Sequence, residues 1–320
     1  MKILLTQRNI MKIEVNNVYQ RKGISKIKVG LILALVIFLM IVLVWRLYYE
    51  RIETNTVSSF SEFIGYDEVE KEESDIIKDL ESSLKNELDK YMTTNKYIPN
   101  FTEQSANNIN SIYKSQGEGK KIVYLTFDDG PSRDVTPLIL DVLKEENIYA
   151  TFFVLGSKVE QNPEILKRIY DEGHYIGNHG YSHVYSQIYE SKDTVLQEYN
   201  GCEEIIRRAL EIPNYSTHLF RFPGGSSGGP YDAIKKESVK MFEENNVGIL
   251  DWNCLTRDSE GNFPKEELVQ NFKETSSGKN NLVILMHDAS GKILVPEVLK
   301  EIITYLKNEG YTFGNMRELI

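Results

Sequence analysis

The chain has 320 residues, 41% hydrophobic and 26% charged, enough for one sizeable core plus additional segments. Two cysteines and five histidines exclude a disulfide framework and a Cys-rich zinc module, and Cys202 and Cys254, each in a different predicted element, are expected to be separate thiols. The net charge of −10 divides into +6 over residues 1–28 (Lys2, Arg8, Lys12, Arg21, Lys22, Lys26 and Lys28 against Glu14) and −16 over the rest, so the main body lacks the clustered cations that grip a phosphate backbone, and nucleic acid is excluded as its partner.

Residues 1–28 read as a basic cytoplasmic tail. Val29–Trp45 carries no charge and a single glycine, and at about 1.5 Å per residue it reaches the short end of what spans a bilayer core. The basic side precedes the apolar run, so the positive-inside pattern leaves the N-terminus in the cytoplasm and the remainder outside the cell. Trp45-Arg46-Leu47-Tyr48-Tyr49 offers no small-residue cleavage site, which favours an uncleaved signal anchor over a removed signal peptide. Residues 46–119 read as stalk and linker. Ile76, Ile77, Leu80, Leu84 and Leu88 give one helical stripe, read as a solvated stalk with a weak packing face or as a pairing helix. Residues 100–119 read as a polar linker.

From Lys120 to Ile320 short apolar runs alternate with amphipathic stretches. The runs are Ile122–Phe127, Ala150–Leu155, His174–Gly177, Leu219–Phe222, Val247–Leu250, Leu282–Met286 and Tyr311–Phe313. Between them lie predicted helices at Thr136–Glu146, Glu164–Glu172, Thr194–Leu210, Tyr231–Glu244, Lys265–Glu274 and Pro296–Asn308. This alternation predicts an α/β domain of βα units, and seven runs suit an incomplete barrel better than a short open sheet.

Unusual polar residues gather after the C-terminal ends of these runs, the face on which βα barrels build their sites. They are Asp128-Asp129-Gly130, Asn178 to His183, Arg221 to Gly225, Asp251-Trp252-Asn253 and His287-Asp288. Each has a plainer reading. Asp128-Asp129 before Gly130-Pro131 would suit a turn or a helix cap, and His179 and His183 could be surface residues. Taken together, however, two histidines four apart and a carboxylate make the common three-ligand set that leaves zinc an open position. Gly180 excludes the metalloprotease helix motif, which needs a glutamate there. Arg221, in an apolar run, needs a buried carboxylate, and Asp128 is the free candidate on this face. His287 is either a core histidine or a general acid near neutral pH, with Asp251 as the group orienting its ring. His174 and His218 read as structural.

With these residues in place, the 120–320 segment resembles the NodB-homology domain of the polysaccharide deacetylases, carbohydrate esterase family 4. Thr126 to Gly130 matches the first of that family's five ordered motifs, and His179 to His183 the second. Arg221-Phe222-Pro223-Gly224 is similar to the third, Asp251-Trp252-Asn253 to the fourth, and Leu285 to Asp288 to the fifth. The departures are Gly180 for Ser or Thr, Val184 for Pro, and Gly224 where peptidoglycan-active relatives often carry tyrosine; the last is expected to widen the substrate groove.

The resemblance implies a distorted (β/α)7 barrel, behind the transmembrane helix and mostly helical stalk. It also implies one divalent ion, zinc expected, on Asp129, His179 and His183. Asp128 is then the base held by Arg221, His287 the acid supported by Asp251, and the Gly224 backbone N–H an oxyanion donor. The resemblance implies a polysaccharide substrate, chitin and xylan included, and the outward-facing anchor favours an N-acetylated polymer of the envelope, peptidoglycan first. A catalytically inactive glycan-binding tether is the competing class; it predicts loss of a ligand or of the base, and the sequence keeps them all.

Overall fold

The computed structural model describes residues 96–114 and 119–320. The expected anchor at Val29–Trp45 and the stripe from Ile76 to Leu88 lie outside the described residues. Among the described residues no helix is long and apolar enough to cross a membrane. Tyr97–Ile320 forms one compact unit.

Its elements in chain order are α1 (Glu103–Lys114), β1 (Ile122–Asp128), α2 (Thr136–Glu146), β2 (Ala150–Val154), α3 (Gly156–Gln161), α4 (Pro163–Asp171), β3 (Tyr175–Asn178), α5 (Tyr185–Ile188), α6 (Lys192–Leu210), β4 (Leu219–Phe220), α7 (Asp232–Glu244), β5 (Gly248–Ile249), β6 (Cys254–Leu255), α8 (Lys265–Ser276), β7 (Asn281–His287), α9 (Val295–Asn308) and β8 (Thr312–Phe313). All strand pairings are parallel, in the order β5-β4-β3-β2-β1-β7-β6. β8 pairs with Ile122 and Val123, below the stretch of β1 that pairs with β2. The path is open between β5 and β6, so the sheet is a partial barrel.

Alternation along the strands divides the core in two. Val123, Leu125 and Phe127 of β1, Phe152 and Val154 of β2, and Leu282, Ile284 and Met286 of β7 pack with the surrounding helices. The intervening Tyr124, Phe153, Tyr175 and Val283 fill the barrel interior with Leu219, Leu250 and Met316. Helix boundaries follow local chemistry. Pro137 and Pro296 occupy the first turns of α2 and α9, where no amide donor is lost. Ser191 and Thr194 form a reciprocal capping box that fixes the start of α6.

Three expectations change. An eighth strand, β6, was not expected: two residues are too short to show periodicity. The short helices α3 and α5 were likewise unseen. Residues 100–119, read as a linker, contain α1, and Ile109 and Ile112 from it are buried in the barrel interior cluster. Each such burial stabilises by about 1.5–3 kcal/mol, which is why a mostly polar segment docks. Cys202 in α6 and Cys254 in β6 are separate buried thiols, as expected.

Candidate active site

The register of the sheet brings the site together. Asp128, the last residue of β1, lies directly beside His287, the last of β7. On the other side of β1, beyond β2, the chain leaving β3 carries His179 and the chain leaving β4 carries Arg221, whose N–H donates to Asn178 O at 3.0 Å.

Arg221 is fully buried beneath this face. Its Nη1 donates to Asp128 Oδ1 at 2.8 Å and to Thr126 Oγ1 at 2.7 Å. Nε donates to Leu250 O at 2.7 Å and Nη2 to Asp251 O at 3.1 Å, while the guanidinium lies 4.0 Å from the Phe153 ring centroid. A buried cation on this scale needs such a complete set of partners. Burial pushes the Asp128 carboxyl above its ordinary value, and the Arg221 charge opposes that rise. The expected Asp128–Arg221 pair is present.

Asp129, His179 and His183 each bring one donor atom into a group within 4.8 Å. Asp129 Oδ1 lies 3.4 Å from His179 Nε2 and 3.2 Å from His183 Nε2. Three donors held about 2.1 Å from one tetrahedral ion stand roughly 3.4 Å apart, so these spacings fit. Two further observations agree. Asp129 Oδ1 is buried without a hydrogen-bond partner among the described residues. His179 Nδ1 is 2.7 Å from Arg221 O, which fixes the proton there and turns the Nε2 lone pair toward the cluster. Burial lowers the His179 pKa to about 3, so the ring is neutral and able to ligate. The two histidines reach one point through a tight loop, not a helical turn.

His287 differs from expectation in its partner. Its Nδ1 lies 3.1 and 3.2 Å from the two carboxylate oxygens of Asp258, and its N–H donates to Asp258 Oδ2 at 2.9 Å. Burial works against a charged ring here, but the Asp258 hydrogen bond and charge prevail and raise the His287 pKa to about 9. Asp251, expected in this role, turns elsewhere: its carboxylate accepts from Ser226 N–H at 3.1 and 3.2 Å and from Ser226 Oγ at 2.5 Å. Asp258 follows β6, the strand too short to be read, and the Thr256-Arg257-Asp258 turn was the available signal.

Asp288 closes the floor of the site. Its N–H donates to Asp128 O, its carboxylate accepts from Thr136 Oγ1 at 2.7 Å, and burial raises its pKa to about 7. A Cβ on Gly130 would fall 2.0 Å from Asp288 Oδ2, so only glycine fits the first polar turn. At Gly224 φ is +75°, and no main-chain hydrogen bond from its N–H is formed among the described residues. A Cβ there would meet Tyr185 Oη at 2.9 Å. Tyr185 Oη therefore lies against the point where a side chain at 224 would begin. His174 accepts from Ala150 N–H at 3.2 Å, and His218 lies 3.0 Å from Asn246 O, so both are structural.

A buried carboxylate, a three-donor cluster and a histidine–carboxylate pair at parallel strand ends are the layout of a hydrolase. The family profile described as "Polysaccharide deacetylase" matches residues 115–242, and the chain belongs to the polysaccharide deacetylases, the NodB-type domain of carbohydrate esterase family 4. It is 32% identical over 215 residues to the putative polysaccharide deacetylase YheN of Bacillus subtilis, covering 66% of this chain and 72% of YheN. It is 34% identical over 199 residues to the peptidoglycan-N-acetylglucosamine deacetylase PgdA of Listeria monocytogenes, covering 62% of this chain but only 39% of PgdA. Among solved structures, a Streptococcus mutans CE4 esterase matches with a TM-score of 0.59 and 29% identity, over 67% of this chain and 91% of that one.

Proposed function

We propose that the chain removes acetyl groups from N-acetylated amino sugars of a cell-envelope polysaccharide, peptidoglycan first, releasing acetate and a free amine. The observation that carries this reading is the alignment of Asp128 beside His287 on neighbouring strand ends, facing the Asp129–His179–His183 cluster. The name of the Listeria relative supports the choice of polymer.

When bound by Asp129, His179 and His183, a divalent ion, zinc for this donor set, would supply Lewis acidity toward the acetamide carbonyl and the attacking water. Asp128 takes the proton from that water, and Arg221 keeps the carboxylate ionised and aimed through its 2.8 Å bond. The Gly224 N–H donates a hydrogen bond to the carbonyl oxygen as negative charge develops on it. His287, held by Asp258 through Nδ1, presents Nε2 and delivers its proton to the departing amine. In this reading Val29–Trp45 anchors the chain with its catalytic domain outside the cell, within reach of the wall.

The test is acetate release by the full-length chain from purified peptidoglycan, with mass spectrometry of the digested glycan locating the lost acetyl group. Release that stops on chelation, returns with zinc, and falls about 10²–10⁴-fold in Asp128→Asn with zinc still bound is the expected result. No release from peptidoglycan, chitin oligomers or acetylated xylan by a zinc-loaded chain would instead leave the inactive glycan-binding tether as the better account.

A further inference from the structure

Two of the three clustered donors sit on one loop whose backbone is unfavourable. Gly180 has φ of +86° and His183 φ of +59°, and a left-handed non-glycine residue persists only when its surroundings hold it there. The two histidines are not held equally. His179 is 3% exposed and tied by its ring to Arg221 O and by its N–H to Val154 O. His183 is 32% exposed, and its ring makes no hydrogen bond among the described residues. Beyond ring contacts with His179 and Tyr185, at 5.4 and 5.5 Å between centroids, its position is set by the chain between the two histidines.

That stretch is hydrogen-bonded at nearly every polar group. Gly180 N–H donates to Asn178 Oδ1 at 2.9 Å, and the carbonyls of Gly180 and Tyr181 accept from the first amides of α3, Gly156 N–H and Ser157 N–H. Tyr181 Oη donates to Glu160 Oε2 at 2.9 Å, and the other three donors converge on one side chain. Tyr181 N–H and Ser182 N–H both donate to Glu198 Oε2 at 2.7 Å, and Ser182 Oγ donates to Glu198 Oε1 at 2.7 Å. Charge-assisted bonds of this length are the strong ones. Glu198 is carried by α6, the helix whose start is fixed by the Ser191–Thr194 capping box, so the loop is referenced to a rigid element.

We infer that Glu198 is the positioning residue of the His179–His183 loop: its carboxylate fixes His183 against Asp129, so the affinity of the cluster for a divalent ion depends on a side chain that touches none of the three donors. The inference rests on the reading of that cluster as a metal centre. It also accounts for how the loop tolerates Gly180. A cleft lined by Tyr181, Gln187, Glu190, Thr194, Gln197 and Gly201 borders Glu198, so water can solvate the two amides when the carboxylate is removed and the variant keeps its fold.

The test is zinc titration of the metal-stripped full-length chain against a chromophoric chelator, for wild type, Glu198→Ala and Glu198→Gln, alongside thermal melts of the metal-free proteins. Glu198→Ala is expected to weaken zinc about 10–100-fold, the range for losing an outer partner of a metal ligand. Glu198→Gln, whose carbonyl still accepts both amides while its NH₂ faces Ser182 Oγ, should return to within a few-fold of wild type. An alanine variant that binds zinc within about twofold of wild type, whatever its melting temperature, overturns the inference alone. A wild-type chain that binds no zinc overturns both it and the metal reading beneath it.

Discussion

Replacing Asp258 by Asn is the sharpest test of the acid half of the site. His287 is 12% exposed, so burial alone would suppress its cation; the Asp258 carboxylate 3.1 Å away is the main reason its pKa stands near 9 instead of 6.5. That rise is worth roughly 3 kcal/mol at about 1.4 kcal/mol per unit. In Asp258→Asn the burial remains and the chief opposing charge is gone, so the ring should titrate at or below its ordinary value. At pH 8 the protonated fraction would fall from about 0.9 to about 0.03, a loss of roughly 30-fold in kcat/KM that narrows toward pH 6. The assay is acetate release from a chitin oligomer between pH 5 and 10 with zinc-loaded protein. Asp251→Asn, whose carboxylate serves Ser226, should leave the alkaline limb where it is. A profile for Asp258→Asn that superimposes on wild type, or one for Asp251→Asn that shifts acidward, refutes this assignment. The same pair bears on stability. A folded pKa raised above the unfolded value gives stabilisation that is complete below pH 6.5 and lost as pH rises through about 9. Urea unfolding of wild type should therefore weaken across that window by up to about 3 kcal/mol, and His287→Gln should not show this step.

Arg221→Ala should lower unfolding stability by about 3–5 kcal/mol, because it strands the Asp128 carboxylate without its buried partner; a denaturant midpoint near wild type would mean that water replaces the guanidinium. Lysine should restore little, since one ammonium cannot reach Asp128, Thr126, Leu250 O and Asp251 O as the forked group does. Gly224→Ala forces a side chain into a left-handed residue and against Tyr185 Oη, at a cost of about 1–3 kcal/mol and a reduced kcat/KM. Adding Tyr185→Phe removes the 2.9 Å contact and should return part of that loss; no difference between the single and double variants would put the whole effect on the backbone.

The fold was legible where elements are long. Thr136–Glu146 was read to the residue and the other long helices to within two, because each carries a full apolar stripe and a boundary residue such as Pro163 or Lys265. Strands survived even at two residues when, like Leu219–Phe220, they sat in a longer apolar run. Cys254–Leu255 had no such run, and its invisibility had a cost: the polar turn that follows it went unseen, and Asp251 stood in for Asp258. The donors Asp129, His179 and His183 were legible because spacing and residue type coincide. Glu198 and Tyr185 were not: Glu198 acts across space from a helix that reads as ordinary surface, and Tyr185 opens α5, a single turn too short to show periodicity. Residues Glu103–Lys114 were misread for the opposite reason. Their apolar signal is one patch, Ile109 and Ile112, whose meaning exists only once there is a barrel floor to receive it.

That floor couples the two ends of the compact unit. Tyr97 Oη donates to Ile320 O at 3.4 Å and Asn108 Nδ2 to Leu319 O at 3.2 Å, contacts that span 223 and 211 residues. The receiving apolar surface is supplied by Leu250, Val283 and Met316. During synthesis α1 therefore precedes the surface that receives it: its isoleucines have no complete site until Met316, beyond the last strand of the unit, has been made. Such long-range closure is slow and leaves apolar surface uncovered while it waits. A polar sequence carrying only two buried isoleucines is the composition that lets a helix wait in water without aggregating.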